Sequence, residues 1–254
     1  MTLLAVERLK LFTTRSPWWS MLAALVVTIG FAALMAGTSD DTAPMDLAAT
    51  QFGYNFGVVV VMVMAALAVT TEYRFSTIRA TFLAVPNRTA ALLAKTAVVA
   101  TLGALIGAVA AFGSWGIAKL ITPEADLALD SPYAWRAVAG VALVYFFSAV
   151  IAVAVGTFIR HSAGAISALL IYSQLVESLV QLIPNVGDDI YKWLPFNVAN
   201  NFVTGDPDPS ARPVEFGPPP STAELSPWWS LAYFAGFALV LLILSIVSAN
   251  KRDA

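Results

Sequence analysis

The chain has 254 residues, of which 59% are hydrophobic and 12% charged, and its mean hydropathy is +0.76, a balance that belongs to an integral membrane protein. It contains no cysteine and one histidine, which excludes disulfide scaffolds, thiolate metal sites, cysteine nucleophiles and His-rich zinc centres. A formal net charge of -2 argues against a nucleic-acid partner.

Over residues 1–15, Leu3, Leu4, Val6, Leu9, Leu11 and Phe12 are interleaved with Glu7, Arg8, Lys10 and Arg15, the pattern of an interfacial helix lying flat before the first span. The apolar run 17–36 is about the ~20 residues that a span requires, so it reads as a retained helix and not as a cleaved signal. Ser16 caps it, Pro17 takes its first position and Trp18-Trp19 sit at interfacial depth. Ser-Pro-Trp-Trp-Ser recurs at 226–230 ahead of the last span, but the flanks do not repeat, which points to shared interfacial physics and not duplication. An acidic loop with Asp40, Asp41 and Asp46 leads to a second span at 52–69.

Residues 70–88 form a polar, basic segment between two apolar runs. Phe75, Ile78, Phe82 and Val85 recur at helical spacing, with Arg74, Ser76, Thr77, Ala80 and Thr81 away from that stripe. The spacing predicts a short amphipathic helix from Glu72 to Val85, capped by Thr71 and ended by Pro86. Two roles fit: packing beneath the bundle with arginines that anchor orientation, or docking of a partner.

A third span at 89–120 is longer than the hydrocarbon core requires and should tilt or project. Its Gly103, Gly107 and Ala111 form a small-residue face suited to close helix approach, within the chain or between chains. A loop with Glu124, Asp126 and Asp130 precedes a fourth span at 136–159, and Arg160-His161-Ser162 turns directly into a fifth at 163–183. Residues 184–226 make a long acidic loop. Its first part, 186–202, is apolar enough for a short helix or re-entrant piece, whereas 205–220 is too Pro-rich for helix or central strand. A sixth span occupies 227–248.

With both termini on the cytoplasmic side, the cytoplasmic segments hold Arg8, Lys10, Arg15, Arg74, Arg79, Arg88, Lys95, Arg160, Lys251 and Arg252, against Lys119, Arg136, Lys192 and Arg212 outside. The positive-inside rule therefore selects this orientation. The sequence has no Gly-x-x-x-x-Gly-Lys-Ser/Thr loop, so these residues do not cradle nucleotide in the P-loop manner. Paired intramembrane aspartates are absent too, and His161 reads as a turn residue. Within the spans the one acid is Glu177, on a polar stripe of Tyr172, Gln174, Glu177, Ser178 and Gln181 along the fifth helix. Such a residue locks helices together or lines a pathway.

The run Thr71-Glu72-Tyr73-Arg74, then Thr77-Ile78-Arg79, Phe82-Leu83-Ala84-Val85-Pro86, Arg88 and Lys95 resembles the first cytoplasmic loop of permease subunits of type-2 ATP-binding-cassette exporters. Glu7-Arg8-Leu9-Lys10-Leu11 with Trp18-Trp19, and Glu177 followed by Trp193-Leu194-Pro195, are similar to the same family. The resemblance implies an all-α, six-span permease in the cell membrane, with an N-terminal interfacial helix and a cytoplasmic coupling helix. Glu72, Tyr73, Arg74, Phe75, Thr77, Ile78, Arg79 and Phe82 would couple to a separate ATPase that carries the ATP and Mg, with no cofactor on this chain. A second permease, identical or related, would complete a dimer exporting an amphipathic or hydrophobic compound such as a drug, lipid or peptide. The Pro-rich insertion departs from the family's compact loop. Other classes consistent with the sequence are a non-transporting anchor or regulatory subunit and a stand-alone secondary transporter, for which several buried charges would be expected and Glu177 alone is available.

Overall fold

The computed structural model describes residues 3–39, 45–85, 87–206 and 221–251. In chain order the helices are α1 (Leu3–Thr13), α2 (Ser16–Thr38), α3 (Leu47–Thr50), α4 (Tyr54–Arg74), α5 (Thr77–Ala84), α6 (Arg88–Ile121), α7 (Pro132–Ala139), α8 (Val141–Ile159) and α9 (Ser162–Leu170). A π-helical segment, Ile171–Val176, joins α9 to α10 (Glu177–Val180), and α11 (Gly187–Tyr191), α12 (Pro195–Thr204) and α13 (Pro227–Lys251) follow. Six helical stretches are long and apolar enough to cross a membrane, so the protein is an all-α, six-span membrane protein. Asp40, Asp41, Pro86, Arg212 and the Pro-rich run 207–220 lie outside the described residues, as does Arg252.

The fourth span, α7 and α8, is the most buried of the six and the bundle is assembled around it. Tyr145 of α8 is fully buried. It fits because two glycines leave room: a Cβ on Gly57 of α4 would lie 1.9 Å from the Tyr145 hydroxyl, and one on Gly107 of α6 would lie 2.7 Å from its ring. The hydroxyl donates to the Tyr54 carbonyl at 2.9 Å and lies 3.4 Å from Thr28 Oγ1 of α2, which is left to donate. Tyr54 in turn donates to Asn200 of α12 at 2.5 Å. Close backbone approach plus satisfied polar groups is what holds helices together where lipid removes the hydrophobic drive. The face of Gly103, Gly107 and Ala111 is used here, inside one chain: a Cβ on Gly103 would meet Ala149 and Val61 at 3.2 Å, and Ala111 is fully buried.

Two ends of the bundle are distinguished by their contacts. At one, Tyr73 at the end of α4 carries the Arg160 guanidinium over its ring at 5.1 Å, and Asn250 of α13 donates to Thr89 of α6 at 3.0 Å. Arg74, Arg79, Arg88 and Lys251 belong to the same helix ends. At the other, Arg136 donates to the Gly205 carbonyl and Tyr233 to the Trp193 carbonyl at 2.8 Å. The segments assigned to one side by charge thus collect at one end.

Three boundaries differ from expectation. The helix of the second span does not stop at residue 69 but continues to Arg74, with Thr71 bonded back to Leu67 at 2.6 Å instead of capping a new helix. The break comes at Ser76, in the left-handed region at φ 57°, so Glu72, Tyr73 and Arg74 end α4 while α5 begins at Thr77. In the fourth span the helix begins at Pro132, earlier than residue 136, with Ser131 capping α7 through the Ala134 amide, and α8 starts anew after Gly140. The fifth span, expected as one regular helix, contains the π-helical segment.

Candidate functional site: the α1–α4–α5–α6 junction and the fifth helix

Short as it is, α5 divides cleanly by face, because residues three and four apart are neighbours on a helix. Ile78 is buried and Phe82 packs on the main core, with the Arg88 guanidinium 5.2 Å from the Phe82 ring. Thr77, Ala80, Thr81 and Ala84 line a cavity, as does Phe75 at its rim. Arg79 points away from both, with Leu83, which is 85% exposed. Of the residues grouped by sequence, Ile78 and Phe82 thus seat the helix and Arg79 presents outward. Phe75 does not join the seated stripe: it is 67% exposed, with Arg74 5.5 Å from its ring, because the turn at Ser76 separates it from α5.

Beneath this helix lies an ion cluster. Lys95 of α6 donates to Glu7 Oε2 of α1 and to Glu72 Oε1 of α4 at 2.8 Å. Lys10 of α1 donates to Glu7 Oε1 at 2.8 Å and to Thr81 of α5 at 3.0 Å, and lies 3.4 Å from Glu72 Oε1. Four helices are tied by four charges. Burial alone would raise the Glu7 carboxyl, but the ammonium groups of Lys95 and Lys10 outweigh it and hold the group below its ordinary value. Burial would lower Lys10, and its bond to Glu7 together with the Glu72 charge raises it above the ordinary value.

Sequence reasoning placed Glu72 here but treated Glu7 and Lys10 as surface charges of an interfacial helix, and it counted Glu177 as the one acid at depth. The structure corrects the first reading, since Glu7 is 6% exposed and its partner Lys95 5%; Glu7 belongs to α1, outside the six spans. One signal was available: Lys95 lies in the apolar run Ala90-Ala91-Leu92-Leu93-Ala94, Thr96-Ala97-Val98, and a lysine so placed requires a partner.

On the fifth helix, Glu177 is buried and accepts from the amides of Phe196 at 3.0 Å and Asn197 at 2.9 Å. These are the first free N–H groups of α12 after Pro195, and a carboxylate at that position meets the positive end of the helix dipole. Tyr172 packs its ring on Phe196 at 6.3 Å. Gln174, Ser178 and Gln181 do not share this setting: all three are exposed, beside the exposed apolar residues Leu175, Leu179 and Leu182. Among the described residues no group of acids and histidines could hold a metal ion.

The family model described as ABC-2 family transporter protein matches residues 3–175. That stretch contains the whole ion cluster, α5 and the first four spans, and stops just short of Glu177. No curated protein matches the chain.

Proposed function

This chain belongs to the ABC-2 transporter family, and from that premise we propose that it is the six-span permease subunit of an ATP-driven exporter, working with a separate ATPase and a second permease. The single observation that carries the coupling role is the division of α5: seated by Ile78 and Phe82, tied through Thr81 and Lys10 to the ion cluster, and open to solvent at Arg79 and Leu83. A short helix fixed to α1 and to two spans, α4 and α6, on its inner side and exposed on its outer side suits the transmission of movement from a docked ATPase. The basic residues collected at this end support placing it, with both termini, in the cytoplasm of a cell in whose membrane the protein sits. Exposed Gln174, Ser178 and Gln181 on an otherwise apolar helix favour a shared path or a second permease against that face, because polar groups facing lipid are costly. With Glu177 occupied by α12, that face offers hydrogen bonds without charge, which suits an amphipathic or hydrophobic cargo.

The experiment is co-purification of this chain with a candidate ABC-type ATPase subunit co-expressed with it. Wild type should retain the ATPase, whereas Leu83→Asp and Arg79→Glu should each lose it while remaining folded. Retention by both variants with full transport would refute the docking role of α5, and ATP turnover by the purified chain alone would refute the division of labour.

A further inference from the structure

The junction of α1, the start of α2, α4, α5 and α6 forms a partly open cavity of about 860 Å³, within the range of pockets that hold a small ligand. No residue of the fifth helix lines it, so it is separate from the polar face of Gln174, Ser178 and Gln181. The cavity is graded in polarity. At one level stand Glu72 and Lys95; one to two helical turns further into the spans its walls are Met64, Leu67 and Ala68 of α4 and Val98 and Val99 of α6. Eight residues of α4 separate Glu72 from Met64, about 12 Å along the axis, room for a medium-length alkyl chain.

The charges indicate the head group. Among the lining residues the charged ones are Glu7, Glu72, Lys10 and Lys95, two acids against two bases, so the cluster is already balanced. A charged head group would leave an unpaired charge in a site of low dielectric, which is costly. Hydrogen bonding is not balanced in the same way. Both oxygens of Glu7 accept, whereas Glu72 Oε1 takes both lysines and its Oε2 is buried without a partner. Lys95 uses two of an ammonium's three donors. Glu72 and Lys95 thus keep one unused acceptor and one unused donor between them, and a rotation of the Glu72 carboxylate that turns the unpartnered oxygen to the cavity would let a hydroxyl donate to one and accept from the other.

We propose that this cavity binds an uncharged, hydroxyl-bearing amphiphile of the monoacylglycerol type, its head between Glu72 and Lys95 and its chain along Met64, Leu67 and Val98. The ligand bridges α1, α4, α5 and α6, so its occupancy stiffens the link between α5 and the spans.

The test uses the full chain in phosphatidylcholine nanodiscs and three photoreactive probes of equal chain length with a mid-chain diazirine: a monoacylglycerol, a fatty acid and an alkylamine. Labelled residues are mapped by mass spectrometry. The monoacylglycerol should label Met64, Leu67 and Val98 about tenfold more than the acid or the amine, a preference worth one hydrogen-bonded head group. Ala68→Trp and Ala84→Trp, which fill the cavity from opposite walls, should abolish that labelling while exposed Val240 and Ile243 of α13 are labelled as before. Glu72→Gln leaves two ammonium groups against Glu7 alone, so the preference should pass to the fatty acid. Equal labelling by the three probes, preference for the amine, or labelling unchanged by the tryptophans or by Glu72→Gln would each overturn the assignment.

Discussion

Glu7 and Lys95 stand 88 residues apart in the chain and are bonded to one another, the first helix reaching past the whole of the first two spans to the third. Removing one partner unbalances the buried cluster by one charge, although Glu7 keeps Lys10 and Lys95 keeps Glu72. Lys95→Met should therefore destabilise the chain by about 3–5 kcal/mol. The double variant Glu7→Gln/Lys95→Met should recover most of that loss, because it leaves no unpaired charge at this contact. Unfolding titrations of the two variants in one detergent make the comparison; equal losses would show that the pair is worth its own contacts and not the avoidance of an unbalanced charge.

The same cluster sets a pH window. Glu7 lies below its ordinary value of 4.5, so its contribution is complete above that pH and is lost as pH falls through the lowered native value. Lys10 lies above its ordinary value of 10.5, so its share is complete below that pH and disappears as pH rises through the raised one; with the side chain 35% exposed, that share is reduced by solvent screening. The share of thermal stability that this cluster contributes should thus be flat across neutral pH. Glu7→Gln should remove the acid limb assigned here and leave the alkaline one, read from melting curves at stepped pH.

Glu177 acts on α12 through two amides, and substitution should be felt there first. Glu177→Ala should cost about 1–2 kcal/mol, the scale of a lost helix cap, and accelerate hydrogen exchange at Phe196 and Asn197 roughly tenfold. Glu177→Gln keeps one acceptor and should show a smaller effect. Unchanged exchange at both amides in the alanine variant would mean that the carboxylate does not hold this helix in solution.

Ser76 takes a left-handed conformation, φ 57° and ψ 14°, between α4 and α5. Ser76→Gly should be neutral or slightly stabilising, whereas Ser76→Val should cost about 1–2 kcal/mol, since a branched Cβ is strained there. Melting temperatures of the two variants at matched detergent decide the point.

The spans were legible because hydrophobic length is a strong, local signal: the third span expected at 89–120 is α6 at Arg88–Ile121, and the last begins at Pro227 as its Ser-Pro-Trp-Trp motif indicates. What the pattern hid was long-range pairing. Glu7 looks like one charge among several on a surface helix, and nothing in its neighbours reveals that Lys95 will cover it. The amphipathic stripe misled at its start because Phe75 and Ile78 have helical spacing while Ser76 between them is not helical. Glu177 was visible as an acid at depth, but its partners are backbone amides, which no side-chain pattern records.

The π-helical segment Ile171–Val176 ends at the residue before Glu177. An extra residue is accommodated there without lengthening the helix by a full step, and each residue of a regular helix turns it by about 100°. Deleting one residue from this stretch would restore the regular ladder and swing the carboxylate away from the Phe196 and Asn197 amides, although no side chain touching α12 had been changed. A one-residue gap here would have to travel with an acid relocated by one position, or with an α12 that begins differently: the insertion and the carboxylate are geometrically one device.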